Sequence, residues 1–150
     1  MEGKTLDDYD KYENECNKIR QDNIQLLDNF GAWLREKQLT EDTIKKHVNN
    51  IEFYINQFLL YEEAIEAKDG ASEIGMFLGD WFIRKAMWSS ETQIKSNAAS
   101  LKKFYIFMCE KGQTAQEDLD DLNDDIEDEM PDWLAEMKRF SDLAEDWGNL

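Results

Sequence analysis

Apolar residues along this chain recur at helical spacing, and nowhere do they alternate in the period-two pattern of a strand. A polar first helix is expected from about Leu6 into the 20s, marked only by Tyr9, Tyr12, Cys16 and Ile19. A second follows, with Ile24, Leu27, Phe30, Trp33 and Leu34 along one face and an end near Lys37. Thr40 is placed to cap a third, in which Ile44, Val48, Ile51, Ile55 and Phe58 fall at i, i+4, i+7, i+11 and i+14. "AKDGAS" reads as a turn, after which Ser72 is expected to cap a helix carrying Ile74, Phe77, Leu78, Trp81 and Phe82.

The stretch "SSETQIKSNAASLKKFYIFMCEKG" opens on a capping box, Ser90-Glu91-Thr92-Gln93, and closes on Gly112 where a C-cap glycine belongs. At 100° per residue Ile94, Ala98, Leu101, Tyr105 and Met108 share one face, with Thr92, Lys95, Ser96, Ala99 and Lys103 opposite. Ile106 and Phe107 join that opposite side in the second half, so the helix should begin at the surface and end buried on nearly all sides. Trp81, Phe82 and Trp88 read as core. A further capping box at Thr114-Ala115-Gln116-Glu117 starts a helix striped by Leu119, Leu122, Ile126 and Met130. Pro131 then separates a last helix with Trp133, Met137, Phe140, Ala144 and Trp147 in register. Both tail helices carry faces worth burying and are expected to pack on the body.

Charge changes the picture through its distribution. The chain carries a formal −17. Residues 1–23 hold four basic and seven acidic side chains, residues 24–112 eleven and thirteen, and residues 113–150 two and fourteen. The middle is nearly neutral and the tail is the acidic part, so the whole-chain charge does not exclude a polyanion partner. Nine of the thirteen residues from Glu117 to Glu129 are Asp or Glu. Like charges at i, i+4 destabilise a lone helix, so this density calls for a reason. It serves solubility, lies across the lysine faces as an internal polyanion, or mimics DNA toward a basic protein. Its expected working surface is Glu117, Asp118, Asp120, Asp121, Asp124, Asp125 and Asp128.

No catalytic constellation stands out: there is no Walker loop, HExxH or Ser/His/Asp set, and "DLNDDIEDE" lacks the glycine and spacing of an EF-hand. Cys16 and Cys109 lie far apart without metal spacing and read as reduced thiols, with no disulfide or zinc site. No cofactor or small-molecule substrate is expected. No apolar run reaches a membrane span and the first residues show no signal-peptide pattern, so a soluble cytoplasmic protein is the expectation. Residues 26–37 and 100–111 share Leu–x–x–Phe–x–x–aromatic–apolar–x–Glu–Lys, which two amphipathic helices with one packing grammar explain without duplication.

The order "FGAWLREKQLTEDTIKKHVNNIEFYINQFL" then "SSETQIKSNAASLKKFYIFMCEKG" resembles the SAM-like core-binding domain of tyrosine recombinases and phage integrases, over about residues 24–112. The likeness is carried by Phe30 through Trp33-Leu34, by the Leu39-Thr40-x-x-Thr43-Ile44 opening, and by Ile51 through Phe58. The Ser90-x-Thr92 opening, Leu101-Lys102-Lys103-Phe104-Tyr105 and Gly112 complete it. It implies an all-α, four-helix SAM-like bundle, here with an N-terminal helical extension (1–23) and two acidic C-terminal helices (113–150) packed on the core. It also implies double-stranded DNA as partner, gripped by the second and fourth core helices. By position the second-helix residues are Thr43, Lys45, Lys46, His47 and Asn50, and the fourth-helix residues Ser89, Ser90, Thr92, Lys95, Ser96 and Lys103. Lysines would meet phosphates as point charges, with hydroxyls and helix N-terminal amides adding neutral contacts. The family's catalytic domain has no counterpart: the single histidine, His47, is followed by Val48-Asn49-Asn50 where a His-x-x-Arg element would be needed. The alternative is a protein-interaction module that works through its acidic tail.

Overall fold

The computed structural model describes the backbone of residues 2–148 and the side chains of residues 7–147. The chain is all-α: every regular element among the described residues is helical. It divides into two compact units, residues 1–70 and 71–150, with the boundary inside the "AKDGAS" turn. No helix among the described residues is long and apolar enough to cross a membrane.

The first unit is a helical hairpin. α1 (Glu2–Glu36) runs unbroken through the two helices expected on either side of residue 23, because a change from sparse to dense apolar content does not end a helix. Ile24, expected on the buried face, is 58% exposed, while Phe30, Trp33 and Leu34 are buried. α1 ends through Gln38, a non-glycine residue at φ 66°, whose amide donates to the Arg35 carbonyl at 2.9 Å. Thr40 then starts α2 (Glu41–Phe53) as expected, its Oγ1 accepting from the Thr43 amide at 3.3 Å. α2 widens into a π-helical turn, Tyr54–Phe58. Helix and turn together reach about 27 Å, so they cover only the second half of α1. The following chain covers part of the rest: Leu60 packs with Cys16 and Ile19, flanked by Tyr12 and Ala64. The Tyr12 hydroxyl donates to the Leu60 carbonyl there. Lower down, Tyr54 Oη donates to the Gly70 carbonyl at 2.6 Å, and Asn23 Nδ2 to Asn56 Oδ1 at 2.8 Å.

The second unit is a three-segment helical bundle. Its first segment changes pitch repeatedly: a 3₁₀ turn (Ala71–Glu73), α3 (Ile74–Met76), a π-helical turn (Phe77–Trp81) and α4 (Phe82–Lys85). Ser72 lies inside the 3₁₀ turn, and Glu73 in its stead occupies the N-cap position of α3 without a side-chain cap bond. α5 (Glu91–Glu110) is capped by Ser90, whose Oγ accepts from the Gln93 amide at 3.1 Å, and ends at Gly112 with φ 73°, both as expected. α6 (Gln116–Gly148) is one helix in place of two, with Pro131 inside it. It packs on α5 and on the 71–85 segment. Pro131 faces solvent, whereas Trp133 and Met137 beyond it are buried, so tertiary packing carries the helix past its missing amide.

Candidate functional site

Two lysine-bearing faces and one carboxylate face follow from these helices. On α2, Thr43, Lys46, His47 and Asn50 share one side at i, i+3, i+4 and i+7, while Lys45 points away from them. Lys45 and Lys46 are exposed, and Thr43 and Asn50 half-buried. His47 is buried at 8% exposure and faces the core of its unit. It sits on the stripe of Ile44 and Ile51, a placement the spacing already contained. The Thr43 hydroxyl is tied into the cap, accepting from Thr40 Oγ1 at 2.9 Å. Lys45 lines a cavity of about 380 Å³ between α1 and α2 that also holds Arg35, Asp28, Glu41 and Asp42. Arg35 Nε lies 3.0 Å from Glu41 Oε1, and this bond holds the Glu41 carboxyl below the usual glutamate range. Three carboxylates against two cations make that cavity a poor phosphate receptor.

The α5 face belongs to the second unit. Thr92, Lys95, Ser96 and Lys103 line up along about 16 Å of helix, with Thr92 and Lys95 exposed and Ser96 and Lys103 half-buried. Ser90 is committed to its cap, and Ser89 Oγ donates to the Ile83 carbonyl at 3.1 Å, which fixes the entry to α5. Among the described residues no ion pair joins Lys95 or Lys103 to a carboxylate of α6. The α2 and α5 residues lie in different units.

The carboxylate face is the most extended feature. Glu117, Asp118, Asp120, Asp121, Asp124, Asp125 and Asp128 are all exposed. Glu117, Asp121, Asp124 and Asp128 run at i, i+4, i+7 and i+11, opposite buried Leu119, Leu122 and Ile126. None of the seven is ion-paired among the described residues, and Asp120 accepts from Gln116 Nε2 at 3.0 Å. No group of three or more His, Cys, Asp or Glu among the described residues is arranged to hold a metal ion.

The sequence pattern missed exposed apolar side chains. Trp88, expected in the core, is 55% exposed, and its neighbour Met87 is 98% exposed in the turn before α5. Ile106 is likewise at the surface, on the side of α5 where full burial was expected. The stripe of α6 is buried at Leu119, Leu122, Ile126, Trp133 and Met137 and half-buried at Met130, but Phe140, Ala144 and Trp147 are exposed where packing on the body was expected. Periodicity gives a direction around a helix, and only the length of the neighbouring helix decides whether something covers it.

No family model matches the chain, no curated protein matches it, and no solved structure matches its fold.

Proposed function

We propose that this is a non-catalytic, cytoplasmic interaction module that engages a basic protein surface through the outer face of α6. The observation that carries this reading is the row of exposed carboxylates, none of them ion-paired, from Glu117 to Asp128 on one helix. Nine acids over the thirteen residues 117–129 give one charge per about 2.2 Å of helix, close to the roughly 1.7 Å per charge of duplex DNA. A protein surface built to hold DNA would meet a comparable line of negative charge. Such a partner is steered electrostatically and held with a strong dependence on salt.

The test separates this face from mere net charge. Binding of an arginine-rich peptide probe is followed by titration calorimetry at several salt concentrations. Asp121→Asn, Asp124→Asn and Asp128→Asn together should weaken binding about tenfold or more. Neutralising Asp7, Asp8 and Asp10 on α1 removes the same charge and should leave binding nearly unchanged. Equal loss in the two triple variants would sink the reading.

A second reading rests on the α5 opening, where Thr92 and Lys95 are exposed behind a Ser90 cap and neither Lys95 nor Lys103 is ion-paired. In that reading the chain is a relative of the recombinase core-binding domain and holds duplex DNA through phosphate contacts. Binding should then fall steeply with salt, and Lys95→Ala with Lys103→Ala should weaken it across all sequences. Absence of duplex binding at low ionic strength would end this second reading and leave the first untouched.

A further inference from the structure

The last turns of α6 run out past their neighbours. α5 has 20 residues and α6 has 33, so α6 extends about 20 Å further. Its apolar stripe is covered as far as Trp133 and Met137, and then Phe140, Leu143 and Trp147 are 38%, 45% and 74% exposed. Their i, i+3, i+7 spacing sets them on one face. Anchors at this spacing are the helical side of a helix-in-groove or helix-on-helix contact.

We propose that a second copy of this chain covers this face, the two α6 ends pairing antiparallel through residues 136–147. The charges along the helix select that occupant. With Phe140 and Trp147 at a and Leu143 at d of a heptad, Glu136 falls at d and both Arg139 and Asp146 at g. An antiparallel seam sets each a against a d of the other helix, and g against g. Phe140 then meets Leu143 of the second copy, and Arg139, ion-paired with Glu136 on its own exposed helix face, is shared with Asp146 of the second copy. Trp147 meets Glu136 of the second copy, where the indole N–H, a donor only, faces a carboxylate. Twofold symmetry makes every one of these contacts twice. A parallel pairing leaves Arg139 opposite Ala144, with no charge partner across the seam. Antiparallel pairing also carries the two three-segment bundles to opposite ends of the paired helices.

Three side chains per copy make a patch well below the ~800 Å² per partner of a standard interface, and two chains of −17 repel each other. The dimer is therefore weak, with a Kd on the order of 100 µM.

Sedimentation equilibrium of the full chain from about 10 µM to about 1 mM reads the association directly. The wild type should show a monomer–dimer equilibrium, and Leu143→Asp should remove it while leaving helical content and Tm unchanged. A Glu136→Gln background frees Arg139 from the ion pair on its own helix and keeps an acceptor for Trp147. In that background Asp146→Arg sets two arginines against each other and should weaken association about tenfold or more, and adding Arg139→Asp should restore it to within about threefold. A chain that stays monomeric throughout overturns the proposal. So does a dimer indifferent to Leu143→Asp, or a charge swap that fails to rescue.

Discussion

Gly79 and Trp133 meet with no room for a methyl group between them. A Cβ at Gly79 would lie 2.8 Å from Cδ1 and 3.0 Å from Nε1 of the indole. Gly79 sits in the π-helical turn Phe77–Trp81, and Trp133 is buried just past Pro131. This contact fastens the second half of α6 to the segment that opens the unit. Gly79→Ala would ordinarily gain helix propensity, but here the forced shift of a buried tryptophan dominates. Urea unfolding should show a loss of about 1–3 kcal/mol. An unchanged midpoint would mean the indole has free space to retreat into.

Gly31 gives the opposite expectation from the same kind of measurement. A Cβ there would meet Arg35 Nη1 and Val48 Cγ2 at 3.8 Å, which is ordinary van der Waals contact. It lies inside α1, where glycine costs conformational entropy. Gly31→Ala should therefore stabilise the protein by about 0.5–1 kcal/mol. The pair of variants tests whether close approach, and not glycine as such, matters at position 79.

What could be read ahead of the structure was local. Thr40, Ser90 and Gly112 were legible because a cap is a bond between neighbours in sequence. The acidic face of α6 was legible because charge and helical phase are both written in the residues. The two π-helical turns were not, since nothing in "YINQF" or "FLGDW" requires a wider pitch. The 33-residue α6 was missed because Pro131 is a strong local signal, overruled by the burial of Trp133 and Met137. His47 shows the limit for the candidate site: position by resemblance placed it in a groove, while its spacing from Ile44 and Ile51 placed it in the core. Which lysines lack ion partners is a three-dimensional fact with no trace in spacing.

Tyr12 provides a pH-dependent test of the first unit. Its hydroxyl donates to the Leu60 carbonyl beside buried Cys16. Burial, above all, pushes its pKa up, with the Cys16 and Glu13 side chains adding to the rise and Arg20 opposing it. The neutral phenol is therefore favoured in the folded state. Its contribution to stability is complete below the ordinary tyrosine range and is lost as pH rises through the raised folded value. The wild type should lose stability more steeply than Tyr12→Phe on the alkaline side. Near neutrality the variant should be less stable by about 0.5–1.5 kcal/mol, the net value of one hydrogen bond. Parallel alkaline limbs would show that the hydroxyl is not sequestered.

Pro131 is the most informative single substitution in α6. A proline inside a helix removes the bond from its own nitrogen to the carbonyl four residues earlier, and its ring crowds that carbonyl, at a cost near ~3 kcal/mol relative to alanine. The side chain is exposed, so truncating it sacrifices no packing. Proline also restricts the unfolded chain, which offsets roughly 0.4–1 kcal/mol of the gain. Pro131→Ala should thus stabilise the protein by about 2–2.6 kcal/mol. Hydrogen exchange gives the sharper readout. Amides from Trp133 to Phe140 should gain protection in the variant, because opening of the outer turns no longer starts at a broken rung. Constant protection there, together with an unchanged Tm, would mean that the contact of Trp133 with Gly79 already holds those turns against local opening, and that Pro131 sets no weak point in the helix.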